Sequence, residues 1–193
     1  MLKSLLTLSG TALLLTGCIS FGAEPPESLL TLTPEATATP GMSSRGTEAN
    51  ALAVLEPEAP ARLNVTRVPV QINETQIAYL QDATWVERPA RLLRRLLAET
   101  IRARGQRMVV DGEQSIVAPT TFLRGTLRDF GYDARSQAVV IRYDAVKSGA
   151  EGGVETRRFE ARVDGIAPET AAVGPALNSA ANDVARQVAD WVG

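Results

Sequence analysis

Three consecutive segments in which polar and apolar residues alternate place the strongest constraint on the fold. They are residues 121–132, 138–146 and 154–164, and the turn-forming stretches DARSQ and KSGAEGG separate them. Alternation with a period of two is typical of strands that are buried on one face and solvated on the other. The pattern therefore predicts an antiparallel meander. In its first strand, Leu123 and Leu127 are expected on one face, with Phe122 and Phe130 on the other.

Two stretches with helical periodicity can cover the buried face of this sheet. In residues 85–105, the apolar stripe is Leu93, Leu96, Leu97, Thr100 and Ile101, and Gly105 is a suitable end. Residues 174–192 repeat apolar side chains at spacings of three and four, with Pro175 expected in the first turn. Shorter strands are expected at 28–33, 51–55, 63–68, 76–80 and 107–110. The predicted class is α+β: a two-layer domain with an antiparallel-rich sheet and both helices on one face.

The N-terminus has the features of an export signal. Met1 to Lys3 is short and basic, and the apolar run from Leu5 to Leu15 is shorter than the roughly 20 residues needed to span a bilayer. The chain's only cysteine ends the stretch Leu15, Thr16, Gly17 and Cys18, which resembles a bacterial lipobox. That resemblance implies cleavage before Cys18, an S-diacylglycerol on its thiol and an N-acyl chain on its amine. The alternative is an ordinary signal with a chance cysteine, or a buried core cysteine.

These features divide the chain into three parts. Residues 1–17 are expected to be a lipoprotein signal peptide, 18–27 a lipidated tether, and 28–193 a single domain in which 33–50 form a flexible loop. Because each buried CH₂ contributes about 0.8 kcal/mol, two or three acyl chains would hold the protein firmly on a membrane. Ile19, in place of the Asp that favours inner-membrane retention, points to the outer membrane and a domain facing the periplasm.

Composition argues against several classes of function. The 193-residue chain has no histidine, which removes Ser-His-Asp and Cys-His catalysis, and one cysteine cannot form an internal disulfide. A net charge of -2 argues against nucleic-acid binding. Asp129, Asp133 and Asp144 have no spacing that fixes an acid–base pair, so turn and surface roles are favoured. We therefore predict no enzymatic activity, no metal and no cofactor beyond the covalent lipid.

A partner surface is the remaining candidate site. Its predicted members are Tyr79, Trp85, Arg88, Arg91 and Arg95. Aromatic side chains are enriched in interface hot spots, and arginines can meet acidic partners or anionic headgroups. The alternative is structural. The aromatics would then pack a helix against the sheet, and the arginines would form a solvated face offset by Glu87 and Glu99.

Four stretches give the chain a family resemblance. They are SLLTLTP after the cysteine, residues 67–101 with Tyr79 and Trp85, LRGTLRDFGYD at 123–133, and the closing ALNSAANDVARQVADWV. In these it resembles the ABC-type transport auxiliary lipoprotein family, whose members accompany transporters with MCE (mammalian cell entry) domains. The resemblance implies a non-catalytic subunit that docks an MCE-domain protein, with its ABC permease and ATPase, at the outer membrane for phospholipid transport. Self-association is a further implication. The alternative function is a carrier that holds an acyl chain between helix and sheet.

Overall fold

The computed structural model describes residues 28–41, 47–110, 118–149 and 152–193. The predicted signal peptide, the lipobox-like stretch and Cys18 therefore lie outside the described residues. Seven strands and two helices follow in chain order: β1 (Ala51–Val54), β2 (Arg67–Gln71), β3 (Ile77–Thr84), α1 (Pro89–Arg104), β4 (Met108–Val110), β5 (Thr121–Asp133), β6 (Ala138–Ser148), β7 (Val154–Asp164) and α2 (Thr170–Val192). The predicted two-layer α+β class is confirmed.

β5 is the strand with which β1, β2 and β6 all pair. Along one side it pairs antiparallel with β6, which pairs antiparallel with β7, so the predicted meander is confirmed. On its other side β1 runs parallel to its first residues and β2 runs parallel to its last. β4 extends the sheet parallel to β1, and β3 extends it antiparallel to β2. The prediction of an antiparallel-rich sheet is wrong in this part, since the sheet is mixed. α1 lies in the long crossover that parallel pairing of β1 and β2 with β5 requires.

A bulge in β5 changes which side chains face the core. The register with β6 shifts between Leu127 and Asp129, so Arg128 is an extra residue in the strand. One inserted residue reverses the alternation beyond it. Phe130, which is 1% exposed, consequently lies in the core with Leu123 and Leu127. The prediction that Phe130 shares a face with Phe122 is wrong for this reason.

The helices keep their predicted faces but not all of their predicted ends. α1 begins at Pro89 and ends at Arg104, where Gly105, with a φ of 68° that suits glycine, caps it, and its predicted apolar stripe is buried. α2 begins at Thr170, where the Glu169 carbonyl accepts hydrogen bonds from the next turn. Pro175 therefore lies inside the helix, and the prediction that it occupies the first turn is wrong. None of the helices in the described residues is long and apolar enough to cross a membrane.

One hydrophobic core joins α1, α2 and the inner face of the sheet. Side chains of α2 such as Leu177, Val184 and Val188 are fully buried against residues of β6 and β7, among them Ile141 and Phe159.

Two of the short predicted strands do not form over their predicted ranges. Residues 63–68 give way to a 3-10 turn (Ala61–Leu63) and β2. In the predicted strand at 28–33, the only ladder contact is an isolated parallel bridge between Leu30 and Trp85.

Candidate partner surface

The N-terminal segment, residues 28–41, lies across both helices. Leu30 N–H donates to the Thr84 carbonyl, and three later N–H groups of the segment donate to helix side chains. Thr33 donates to Asn178 Oδ1 at 2.8 Å, Glu35 to Asn182 Oδ1 at 2.8 Å, and Ala38 to Glu99 Oε1 at 2.8 Å. Part of the range predicted as a flexible loop, 33–50, is thus fixed to α2 and then to α1.

Asn182 is the centre of this attachment. Among the described residues it is one of three buried polar side chains, at 4% exposure. Its Oδ1 accepts from the Glu35 N–H, and its Nδ2 group donates to the carbonyls of Thr33 and Asn178, each at 2.9 Å. A buried amide with its donors and acceptor satisfied fixes the chain in one position. Since the chain enters the domain through this segment, Asn182 connects the predicted tether to the core.

The three predicted surface arginines lie at the start of α1 and on its outer face. Arg91 and Arg95 both approach Glu87, at 3.6 and 3.1 Å, and their side chains are 49% and 50% exposed. Arg88 donates to Asn64 Oδ1 at 2.7 Å and is 4.0 Å from Glu56. Exposed pairs of this kind contribute little to stability, typically about 0–1 kcal/mol. The guanidinium groups are therefore available to a partner at small cost to the fold.

A groove lies beside these arginines. It has a volume of about 270 Å³ and runs between the N-terminal segment and α1. Apolar side chains, including Leu32, Leu92 and Leu96, line it together with the charged groups of Arg95 and Glu99. The groove therefore has a mixed polar and apolar lining, in which Leu92 and Leu96 are themselves buried at 4% and 2% exposure.

The two predicted aromatic anchors are placed differently from the arginines. Trp85 is 1% exposed and packs edge-on against Phe130, with ring centroids 5.4 Å apart. It therefore belongs to the core, so its assignment to a surface is wrong and the packing alternative holds. Tyr79 is half-buried in β3, and the Arg67 guanidinium lies 4.5 Å from the centre of its ring.

The outer face of the sheet, opposite the helices, carries a network of arginines and carboxylates. Asp144 accepts hydrogen bonds from Arg158 at 2.6 Å and from Arg128 at 2.8 Å. Asp129 is held in the same way by Arg62, at 2.6 Å, and by Arg142. The hydrogen bond from Arg158, followed by that from Arg128, holds the pKa of Asp144 well below its usual range.

This network does not resemble a catalytic centre. A cavity of about 240 Å³ adjoins it, lined by Asp129, Asp133, Arg142 and Glu160 among others. General acid–base catalysis needs a carboxylate poised to exchange a proton, whereas the Asp129 and Asp144 carboxylates are already fixed between guanidinium groups. Among residues 28–41, 47–110, 118–149 and 152–193, no group of three or more Asp, Glu, Cys or His side chains is placed to hold a metal ion.

Comparison with known proteins gives a family and structures of similar fold. The sequence matches the ABC-type transport auxiliary lipoprotein component family over residues 30–189. The crystal structure of a Xanthomonas campestris protein of family DUF330 superposes with a TM-score of 0.70 at 19% identity, covering 86% of this chain and 94% of that one. The crystal structure of an uncharacterised protein gives a TM-score of 0.64 at 17% identity, covering 78% and 97%. No curated protein matches the sequence. At sequence identities of 19% and 17%, the structural likeness shows a shared fold alone.

Proposed function

The chain belongs to the ABC-type transport auxiliary lipoprotein family, and we propose that it is the membrane-anchored, non-catalytic lipoprotein subunit of an MCE-type ABC lipid transport system. Family membership places the protein in the cell envelope as an auxiliary component of transport. The finer proposal is that Cys18 is acylated, that the anchor is in the outer membrane, and that the domain docks the periplasmic MCE assembly there. The observation that carries it is the family match over nearly the whole mature domain.

The geometry of the N-terminal segment supports an anchoring role. Residue 28 follows Cys18 by ten positions, so the tether can reach at most about 35 Å from the lipid surface. The next residues are hydrogen-bonded to Asn178, Asn182 and Glu99. A force on the lipid anchor would therefore be transmitted directly to both helices, so the domain would be held close to the membrane.

The outer face of α1 supports a docking role. Arg91 and Arg95 are about half exposed, and Arg95 lines the groove next to the point where the tether enters. We propose that this face binds an acidic surface of the MCE-domain protein, because complementary charge gives specificity and speeds association. Glu87 would release the two arginines to the partner's carboxylates.

Affinity purification of charge-reversed variants tests the docking face. The double variant R91E/R95E, made in the full-length lipoprotein, is expected to recover at least tenfold less MCE-domain protein from detergent-solubilised envelopes. R186E is the control, because Arg186 is a 56% exposed arginine of the other helix, α2, and is paired with Asp183. Equal recovery with R91E/R95E, R186E and the unmodified chain would refute this face as the docking site.

The carrier function has less support. Holding an acyl chain between α2 and the sheet requires an apolar cavity there. That interface is filled by side chains with 0–1% exposure, including Leu177, Val188, Ile141 and Phe159. The cavities described above lie on the outer face of the sheet and beside α1. No observation on the described residues favours a bound lipid within the core.

A further inference from the structure

Two exposed apolar side chains are neighbours at the point where the chain enters the domain. Leu29 and Val86 are 50% and 49% exposed, and among the described residues only six large hydrophobic side chains are exposed. Leu30 N–H donates to the Thr84 carbonyl at 2.8 Å, and Val86 N–H donates to the Leu30 carbonyl at 2.9 Å. These two bonds place Leu29 and Val86 at adjacent positions of paired segments, next to the residue that follows the tether.

The pairing also determines which way this surface faces. Trp85 is buried in the core, and successive side chains of a strand point to opposite faces, so Thr84 points away from the helices. Arg67 is paired with Thr84 across β2 and β3, so it shares that outer face. Leu30 bridges in parallel to Trp85, and Leu29 therefore lies on the outer face beside Thr84.

Arg67 adds a positive charge to this surface. Within the described part of the chain no carboxylate forms an ion pair with it, and its guanidinium lies 4.5 Å from the centre of the Tyr79 ring. Other arginines of the outer face differ, since Arg142 and Arg158 each pair with a carboxylate. Tyrosine is enriched at membrane interfaces, and arginine is attracted to anionic headgroups. The surface is called the tether-side patch and consists of Leu29, Arg67, Tyr79, Thr84 and Val86.

The length of the tether limits which surfaces of the domain can meet a membrane. Cys18 precedes residue 28 by ten positions. A flexible chain of ten residues has a root-mean-square length of about 16–19 Å, and it spans about 35 Å only when fully extended. A compact domain of about 165 residues has a radius of gyration of about 15 Å and is roughly 40 Å across. The tether-side patch adjoins the tether, whereas the far side of the domain would be held beyond its usual reach.

We propose that the tether-side patch rests on the surface of an anionic lipid bilayer, with Leu29 and Val86 among the headgroups and Arg67 against their phosphates. The inference rests on the proposed acylation of Cys18, which brings the patch to the membrane, and it adds a second, non-covalent contact. The apolar pair would be removed from water. Arg67 would gain the anionic partner that the described residues do not supply.

Such a contact would fix the orientation of the domain. The patch lies on the outer face of the sheet, and α1 and α2 cover the inner face. A domain resting on the patch would therefore turn the outer face of α1, with Arg91 and Arg95, away from the bilayer. That is the direction from which a periplasmic partner would approach.

Fluorescence from single introduced cysteines tests the contact. Cys18 is the only cysteine of the chain, and its thiol is blocked when it carries diacylglycerol, so an introduced cysteine is the only free thiol. The variants L29C and V86C are made in the full-length lipoprotein, purified from envelopes, labelled with an environment-sensitive fluorophore and reconstituted into phosphatidylcholine vesicles with about 30% phosphatidylglycerol. We expect at least threefold stronger quenching by a spin-labelled phospholipid at these two positions than at control positions.

The controls R91C and R186C place the same label on the outer faces of the two helices. Their side chains are 49% and 56% exposed, which matches the exposure of Leu29 and Val86. A second change, R67E in the V86C chain, should reduce the quenching at position 86 at least twofold, because it reverses the charge that meets the headgroups.

Each result separates the contact from its alternatives. Equal quenching at all four positions, no quenching at 29 and 86, or quenching that R67E leaves unchanged would overturn the proposal. Shielding of 29 and 86 from aqueous iodide without quenching by the lipid would also overturn it, since a second copy of the chain would then cover the patch. Labelling of the unmodified chain would instead reveal a free Cys18 thiol and contradict the proposed anchor, and with it the contact, so the two failures are distinguishable.

Discussion

Replacing Asn182 by Ala should release the N-terminal segment from the helices without disrupting the core. The change removes three hydrogen bonds, to Glu35 N–H and to the carbonyls of Thr33 and Asn178. A typical intramolecular hydrogen bond contributes about 1 kcal/mol net, which gives about 3 kcal/mol in total. Thr33 and Glu35 are exposed and can bond to water instead, so we expect about 2 kcal/mol of lost unfolding free energy.

Urea denaturation measures this loss, and amide hydrogen exchange localises it. In Asn182→Ala, the Glu35 amide should exchange close to the rate of an unprotected amide, while the amides of β6 follow global unfolding. Asn178→Ala is the matched control, because its side chain accepts only from Thr33 N–H, and it should cost about 1 kcal/mol. Retained protection at Glu35 in Asn182→Ala, with less than about 0.5 kcal/mol lost, would refute this assignment.

Three further perturbations follow from the sequence and the structure. Cys18→Ala should remove labelled acyl chains and release the domain from membranes while leaving its circular dichroism unchanged; acylation that persists would contradict the anchor. Asp144 has a lowered pKa when folded, so its contribution is present at neutral pH and is lost as pH falls through and below its unfolded pKa of about 4. Unfolding free energy should therefore fall less between pH 7 and pH 3 in Asp144→Asn, and an identical pH profile would contradict this. Gly131→Ala would place its Cβ 2.3 Å from the Pro69 carbonyl oxygen and should cost about 2–4 kcal/mol, whereas Gly149→Ala meets nothing within 4 Å and should stay within about 0.5 kcal/mol; equal denaturation midpoints would contradict the close approach.

The parts of the fold that depend on local periodicity could be predicted from the sequence. The stripe around Leu93 and Leu97 and the alternation in β6 and β7 correspond directly to buried faces. The direction of β1 and β2 could not be predicted, because short apolar segments carry no information on which strand they join. Phe130 was misplaced because one extra residue, Arg128, reverses the pattern, and alternation alone does not reveal a bulge.

The candidate site was predictable only in its exposed part. Arg91 and Arg95 lie on the polar side of a clear amphipathic helix, so their exposure follows from the pattern. Trp85 adjoins that helix, and only its contact with Phe130 reveals that it belongs to the core. Asn182 was missed, although a polar residue among the apolar and small residues of the second helix was a usable signal. Its partners in the N-terminal segment, Thr33 and Glu35, are 149 and 147 residues away in the chain and could not be inferred from periodicity.

Purifying the protein from native envelopes in mild detergent, followed by mass spectrometry of everything that accompanies it, tests the proposed function most directly. The account predicts a chain that begins at Cys18, carries the mass of its acyl groups, and is recovered with an MCE-domain protein, a permease and an ATPase in a constant ratio. Recovery of an unacylated chain by itself, alongside an intact MCE transporter that lacks it, would contradict the account.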